Sequence, residues 1–139
     1  VGRVNVAARG CGVAQRAFEL GVHYAQQREA FGKKIADHQA VQFRLAEMAM
    51  QIEAARQLVH HAASLKDAGV PCLKEAAMAK LYTGLLSNRA VNIGLQVHGG
   101  YGFVEDAPIA RLYRDQKILE IGEGTNEVQR MVIARQLGC

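Results

Sequence analysis

Proline is nearly missing: the 139 residues contain two, Pro71 and Pro108. Long stretches therefore run without a break, which favours helix. No segment shows sustained alternation of period two, so no sheet is predicted. Cysteine is scarce and odd in number, with Cys11, Cys72 and Cys139 forming no CxxC pair. That spacing excludes a disulfide framework or a thiolate zinc site and makes a reducing compartment the default. No stretch approaches the roughly 18 apolar residues of a membrane span. Lys and Arg number 17 against 13 Asp and Glu, a formal charge of +4. Both signs are interspersed, and there is no basic block of the kind that follows a nucleic-acid backbone. A small anionic ligand met by a few arginines suits this balance better. The histidines do not suggest a metal. Carboxylate-bridged di-iron bundles carry Glu-x-x-His on two helices, whereas Glu19 and His23 are four apart and no second such pair exists. His23, His60 and His61 read as surface or core-edge residues.

What the chain does have is hydrophobic residues, 50% of the total, and 14 glycines. That is enough for one domain, residues 1–139, with its own core. The opening Val1-Gly2-Arg3-Val4-Asn5-Val6 has no initiator Met and no signal-peptide pattern, so a piece of a longer protein is expected. Four main helices are predicted, at about Arg3–Gln27, His38–Asp67, Pro71–Val97 and Asn126–Gln136. A short extra helix falls near Pro108–Lys117, before the last. The second helix carries the clearest seam: Val41, Leu45, Met48, Ile52, Ala55 and Val59, in alternating steps of four and three. At thirty residues it would be a rod of roughly 45 Å, which needs partner helices along its length. Gly69 supplies a stop and Pro71 a first-turn start for the third helix. Long helices joined by short turns specify an all-α, up-and-down four-helix bundle.

Four segments could carry chemistry. Glu123 sits between Gly122 and Gly124, where the backbone can turn sharply and admit another molecule. Thr125 or Asn126 can cap the last helix, with Gln129 placed to answer Asn126. A carboxylate on such a turn is a candidate general base, and the bland alternative is a capping loop with a favourable dipole charge. Arg28-Glu29-Ala30-Phe31-Gly32 closes the first helix. Its guanidinium suits phosphate oxygens and its ring suits a flat heterocycle; equally, it is a basic C-terminus with a glycine stop. His38-Gln39 can bond a polar heterocycle, or Asp37 simply caps the second helix beside a solvated histidine. Gln96-Val97-His98-Gly99-Gly100-Tyr101-Gly102 places three glycines within four positions, either backbone offered to a ligand or an extended cap and turn. It is no dinucleotide fingerprint, because no strand precedes it.

Taken together, these segments resemble the acyl-CoA dehydrogenase family in order and spacing. Gly2-Arg3-Val4 and Arg114-Asp115-x-Lys117-Ile118 agree as well, and the resemblance covers essentially the whole chain. It implies a C-terminal helical domain that would follow a helical domain and a β-domain not present here. It also implies FAD as cofactor, an acyl-CoA substrate, electron-transfer flavoprotein as acceptor, and a homotetramer built as a dimer of dimers. The setting would be a bacterial cytoplasm or a mitochondrial matrix. By motif, Glu123 would be the catalytic base. Gly124, Thr125, Asn126 and Glu127 would hold the FAD of the same subunit. Arg28, Glu29, Ala30, Phe31, His38 and Gln39, with Gln96, Val97, His98, Gly99 and Gly100, would contact the FAD of a neighbouring subunit. Arg3, with Glu123 and Gly124, would meet the substrate. No nucleic acid, membrane or metal enters this reading.

The chemistry that follows is α,β-dehydrogenation of an acyl-CoA thioester to a trans-2-enoyl-CoA. The thioester α-proton is weakly acidic, so hydrogen bonds to the carbonyl must stabilise the developing enolate. One departure stands out: many members carry an aromatic residue where this chain has Gly122, which would widen the acyl pocket or free the loop. Some members place the base on another helix or lack it; a Glu at 123 argues against both. Two alternatives share the pattern, an acyl-CoA oxidase-like enzyme and a non-catalytic helical assembly module. The domain alone is expected to be colourless and inactive.

Overall fold

The computed structural model describes residues 2–139. Three long helices form the body: α1 (Gly2–Gln27), α2 (Gln39–Asp67) and α3 (Leu73–His98). Leu45 of α2 packs on Gly21, and Arg56 reaches Gln15, so α2 descends against α1. Gly10 faces Thr83 and Ala17 faces Gly94, so α3 rises alongside α1. Alanines and glycines line this α1–α3 contact. A Cβ at Gly94 would stand 3.1 Å from the Ala17 carbonyl oxygen, which explains why small residues recur there. The core continues through Met48, Ile52, Ala55, Val59 and Ala62, all buried, on the seam predicted for the second helix.

After α3 come two single turns and one short helix, α4 (Gly100–Phe103), α5 (Pro108–Asp115) and α6 (Ile118–Ile121), and then α7 (Asn126–Gln136). The all-α, up-and-down bundle is as expected, and α7 has the predicted bounds. Three details differ. A two-stranded antiparallel hairpin, β1 (Glu29–Ala30) with β2 (Lys33–Lys34), interrupts the helical pattern where no sheet was predicted. Strands of two residues are too short to show alternation. The third helix starts at Leu73 with Cys72 in the cap position, two residues beyond Pro71. Instead of one short helix before the last there are three, because Gly99 (φ +58°) ends α3 and restarts the chain as α4 at once.

Gly69 (φ +71°) ends α2 as its position suggested, with Val70 N–H donating to the Leu65 carbonyl at 2.9 Å. No helix among the described residues is long and apolar enough to cross a membrane. The result places two chain segments, the Gly122–Thr125 turn and the Arg28–His38 hairpin, at opposite ends of α1.

Candidate functional site

Glu123 lies at the end where α1 begins. Its φ is +58°, the left-handed region that side chains rarely adopt. The turn is held from below by Gln129, which is fully buried. The Gln129 amide donates to the carbonyl oxygens of Glu123 at 3.2 Å and Gly124 at 2.9 Å. Its own oxygen accepts from Arg3 Nε at 2.9 Å. The Glu123 carboxyl seats over Gly2 so closely that a Cβ there would collide with it. A cavity of about 270 Å³ opens at this point, lined by Glu123, Arg3, Lys66, Cys72 and Leu73. A carboxylate thus stands in a small cleft with two cationic side chains on its walls.

The cap of α7 is Thr125, whose Oγ1 accepts from Val128 N–H at 3.4 Å. Asn126 is inside the helix and buried, so Gln129 does not answer it; it turns back to the Glu123 turn instead. Glu127 falls in the first turn of α7, where its main-chain N–H and then the Thr125 hydroxyl hold its carboxyl below the usual range.

Beneath the turn is a buried polar layer that the sequence reading did not single out. Lys80 of α3 has no solvent exposure. Its ammonium donates to the Glu120 carbonyl at 3.0 Å and to Asn126 Oδ1 at 3.4 Å. The Glu120 carboxylate accepts from Asn88 Nδ2 at 3.2 Å, from Asn126 Nδ2 at 3.4 Å and from the Lys117 ammonium. Burial pushes the Lys80 ammonium down from its ordinary value, Glu120 and Glu127 oppose that shift, and Arg3 adds to it. Lys80, Gly84 and Asn88 are spaced by four on one face of α3. A lysine-glycine-asparagine stripe at that spacing was the available signal. It is hard to credit in a sequence because lysine is almost always solvated.

The other candidate residues gather at the far end of α1, some 39 Å away at the helical rise for 26 residues. Arg28 stands 5.5 Å from the Tyr101 ring centroid, within cation–π range. His98 stacks on Tyr24 at 4.5 Å and bonds the Gly94 carbonyl through Nδ1 at 2.7 Å. Phe31, at φ +55°, is 96% exposed. It stands edge-on to His38, whose Nε2 meets the Ala30 carbonyl at 3.1 Å. Two clefts meet here. One, about 420 Å³, runs between Arg28, His98, Gly99, Gly100 and Tyr101. The other, about 400 Å³, lies between Ala30, Phe31, His38, Gln96 and Val97. Glu29 on the hairpin and Gln39 at the start of α2 are exposed and line neither cleft. His38, not Asp37, holds the cap position of α2, and no side chain caps it.

Fold and site together define an all-α bundle with a strained carboxylate in a cationic cleft at one end and an open, ring-lined surface at the other. Residues 1–138 match the family model described as acyl-CoA dehydrogenase, C-terminal domain. The chain belongs to the acyl-CoA dehydrogenase family. It is 50% identical over 136 residues to the probable acyl-CoA dehydrogenase YngJ of Bacillus subtilis, covering 98% of this chain and 36% of that protein. Butyryl-CoA dehydrogenase from Megasphaera elsdenii superposes with a TM-score of 0.97 at 45% identity, over 99% of this chain and 36% of that one. The FAD complex of PigA superposes with a TM-score of 0.90 at 29% identity, over 95% of this chain and 34% of that one. The chain therefore spans about a third of the length of the relatives it matches.

Proposed function

We propose that this chain is the C-terminal catalytic and oligomerisation domain of an FAD-dependent acyl-CoA dehydrogenase, with Glu123 as the base. The observation that carries the reading is the conformation of Glu123. A glutamate in the left-handed region is costly, by about 1–3 kcal/mol, and such strain persists where surrounding contacts over-determine it. Gln129 and Gly2 supply those contacts, and they hold an exposed carboxylate on the wall of the cleft.

The far end fits a flavin dinucleotide. Added Cβ atoms at Gly32, Gly99 and Gly100 would meet nothing within 4 Å, so the backbone lies open to a ligand. Phe31 presents a bare ring and Arg28 a cation for phosphate oxygens. Arg28, Glu29, Ala30, Phe31, His38 and Gln39 would contact the FAD of a neighbouring subunit, with Gln96, Val97, His98, Gly99 and Gly100 beside it. Gly124, Thr125, Asn126 and Glu127 would hold the FAD of their own subunit. The length of α1 favours two separate cofactors, since one helix separates the two sets of residues. Bound FAD would accept the hydride that leaves the substrate β-carbon.

The chain's own part is acid–base and positioning chemistry. Arg3 and Lys66 favour an anionic acyl-CoA at the cleft. The Glu123 carboxylate takes the α-proton, and its main-chain N–H can donate to the thioester carbonyl as charge develops there. The product is a trans-2-enoyl-CoA, with electron-transfer flavoprotein as the acceptor of the electrons and a dimer of dimers as the assembly. The test is turnover of a saturated acyl-CoA panel by the full-length flavoprotein. Enoyl-CoA product is expected, with kcat falling by about 10² or more in Glu123→Gln. Turnover within a few-fold of wild type would remove Glu123 from the mechanism.

A further inference from the structure

The carboxylate's turn is gripped by the α3 stripe Lys80–Gly84–Asn88, none of which lines the cleft. Three contacts make the grip. Lys80 donates to the carbonyl oxygen of Glu120, three residues before the base, and to the side chain of Asn126, three residues after it. Gly84 lets the turn lie flat on α3: a Cβ there would stand 3.2 Å from both Asn126 Oδ1 and the Leu119 carbonyl. Asn88 holds the Glu120 carboxylate. We propose that Lys80 is a positioning residue for the dehydrogenation, tying both stems of the Glu120–Asn126 turn so that Glu123 keeps its left-handed conformation.

The physical reasoning is one of alternatives. A fully buried ammonium is expensive unless every donor is met, and a solvent-facing lysine would serve the bundle equally well. This one lies where it spans the two stems, with Glu120 as its counter-charge. Lys80 is not among the residues that line the cleft, so it acts through Glu123 rather than on substrate. A misplacement of about 1 Å in a reacting group can cost on the order of 10²-fold in rate.

The inference rests on Glu123 being the base, and the experiment separates the two. In the full-length flavoprotein, flavin content, KM and kcat for an acyl-CoA are measured for wild type, Lys80→Met, Glu123→Gln and the double variant. Lys80→Met is expected to retain FAD, keep KM within about three-fold and lose roughly 10- to 100-fold in kcat. In the Glu123→Gln background the same change is expected to cost less than about two-fold, since nothing remains to be positioned. An equal loss in both backgrounds, or kcat of Lys80→Met within about two-fold of wild type, would overturn the positioning role. Persistent activity of Glu123→Gln would overturn the base itself. If Lys80→Met gives no folded flavoprotein, Gly84→Ala takes its place in the same cycle. Its methyl group lifts the turn by a few tenths of an ångström and leaves Lys80 intact. A kcat loss of several-fold confined to the Glu123 background supports the grip, and no loss, or loss in both backgrounds, contradicts it.

Discussion

Glu123 is the residue at which function and stability separate most sharply. At φ +58° any side chain clashes with its own backbone, while glycine does not. Glu123→Gly and Glu123→Ala both remove the carboxylate, so their difference isolates the backbone. The left-handed region costs a residue with a Cβ roughly 1–2 kcal/mol, partly offset by the larger unfolded-state freedom of glycine, about 0.5–1 kcal/mol. Glu123→Gly is expected to be more stable than Glu123→Ala by about 1 kcal/mol in denaturant unfolding. Equal stabilities would mean that the turn relaxes on truncation and that no strain is stored there. Glu123 was legible in the sequence because two glycines and a cap surround it. Its left-handed backbone was not, since glycines beside a residue do not assign φ to it. Gln129 was read as part of a cap, and only the fold shows its amide turned towards the residue before the helix.

At the scale of elements, α1 and α3 meet through backbone more than through side chains. Gly94 shows what this demands. Alanine in place of a mid-helix glycine gains about 1 kcal/mol of helix propensity. Here its Cβ would lie 2.9 Å from Ile109 Cδ1 and 3.1 Å from the Ala17 carbonyl oxygen. The isoleucine tip can turn, whereas the main-chain oxygen of α1 cannot move without the helix. Overpacking of this kind costs typically 1–3 kcal/mol. Gly94→Ala is therefore expected to lower the unfolding free energy by about 1 kcal/mol, within a range of about 0–2 kcal/mol, once the propensity gain is subtracted. A stabilised variant would show that the helices separate freely. The long helices were legible because their seams repeat over many turns, and Gly69 and Gly99 marked two ends. The hairpin and the single turns α4 and α6 were not, since elements of two to four residues are fixed by neighbours rather than by their own pattern. Lys80 stayed hidden for a related reason: its partners, Glu120 and Asn126, are 40 and 46 residues away.

For the whole molecule, the site is divided. The two ends of α1 carry the residues proposed for two cofactor contacts, and each is an open surface on this chain rather than an enclosed pocket. The 139 residues alone are expected to be colourless after purification, with no flavin band in the visible spectrum. A stoichiometric flavin band would show that this domain suffices to hold the cofactor. The most direct test of the account addresses the proton itself. Full-length flavoprotein is mixed rapidly with a saturated acyl-CoA, and bleaching of the flavin is followed for wild type and Glu123→Gln at equal FAD content. Bleaching slowed by about 10² or more in the variant, with substrate still bound, is the outcome expected of a positioned base. Bleaching at the wild-type rate would contradict the account, and Glu123 would then be only a strained corner of a helical scaffold.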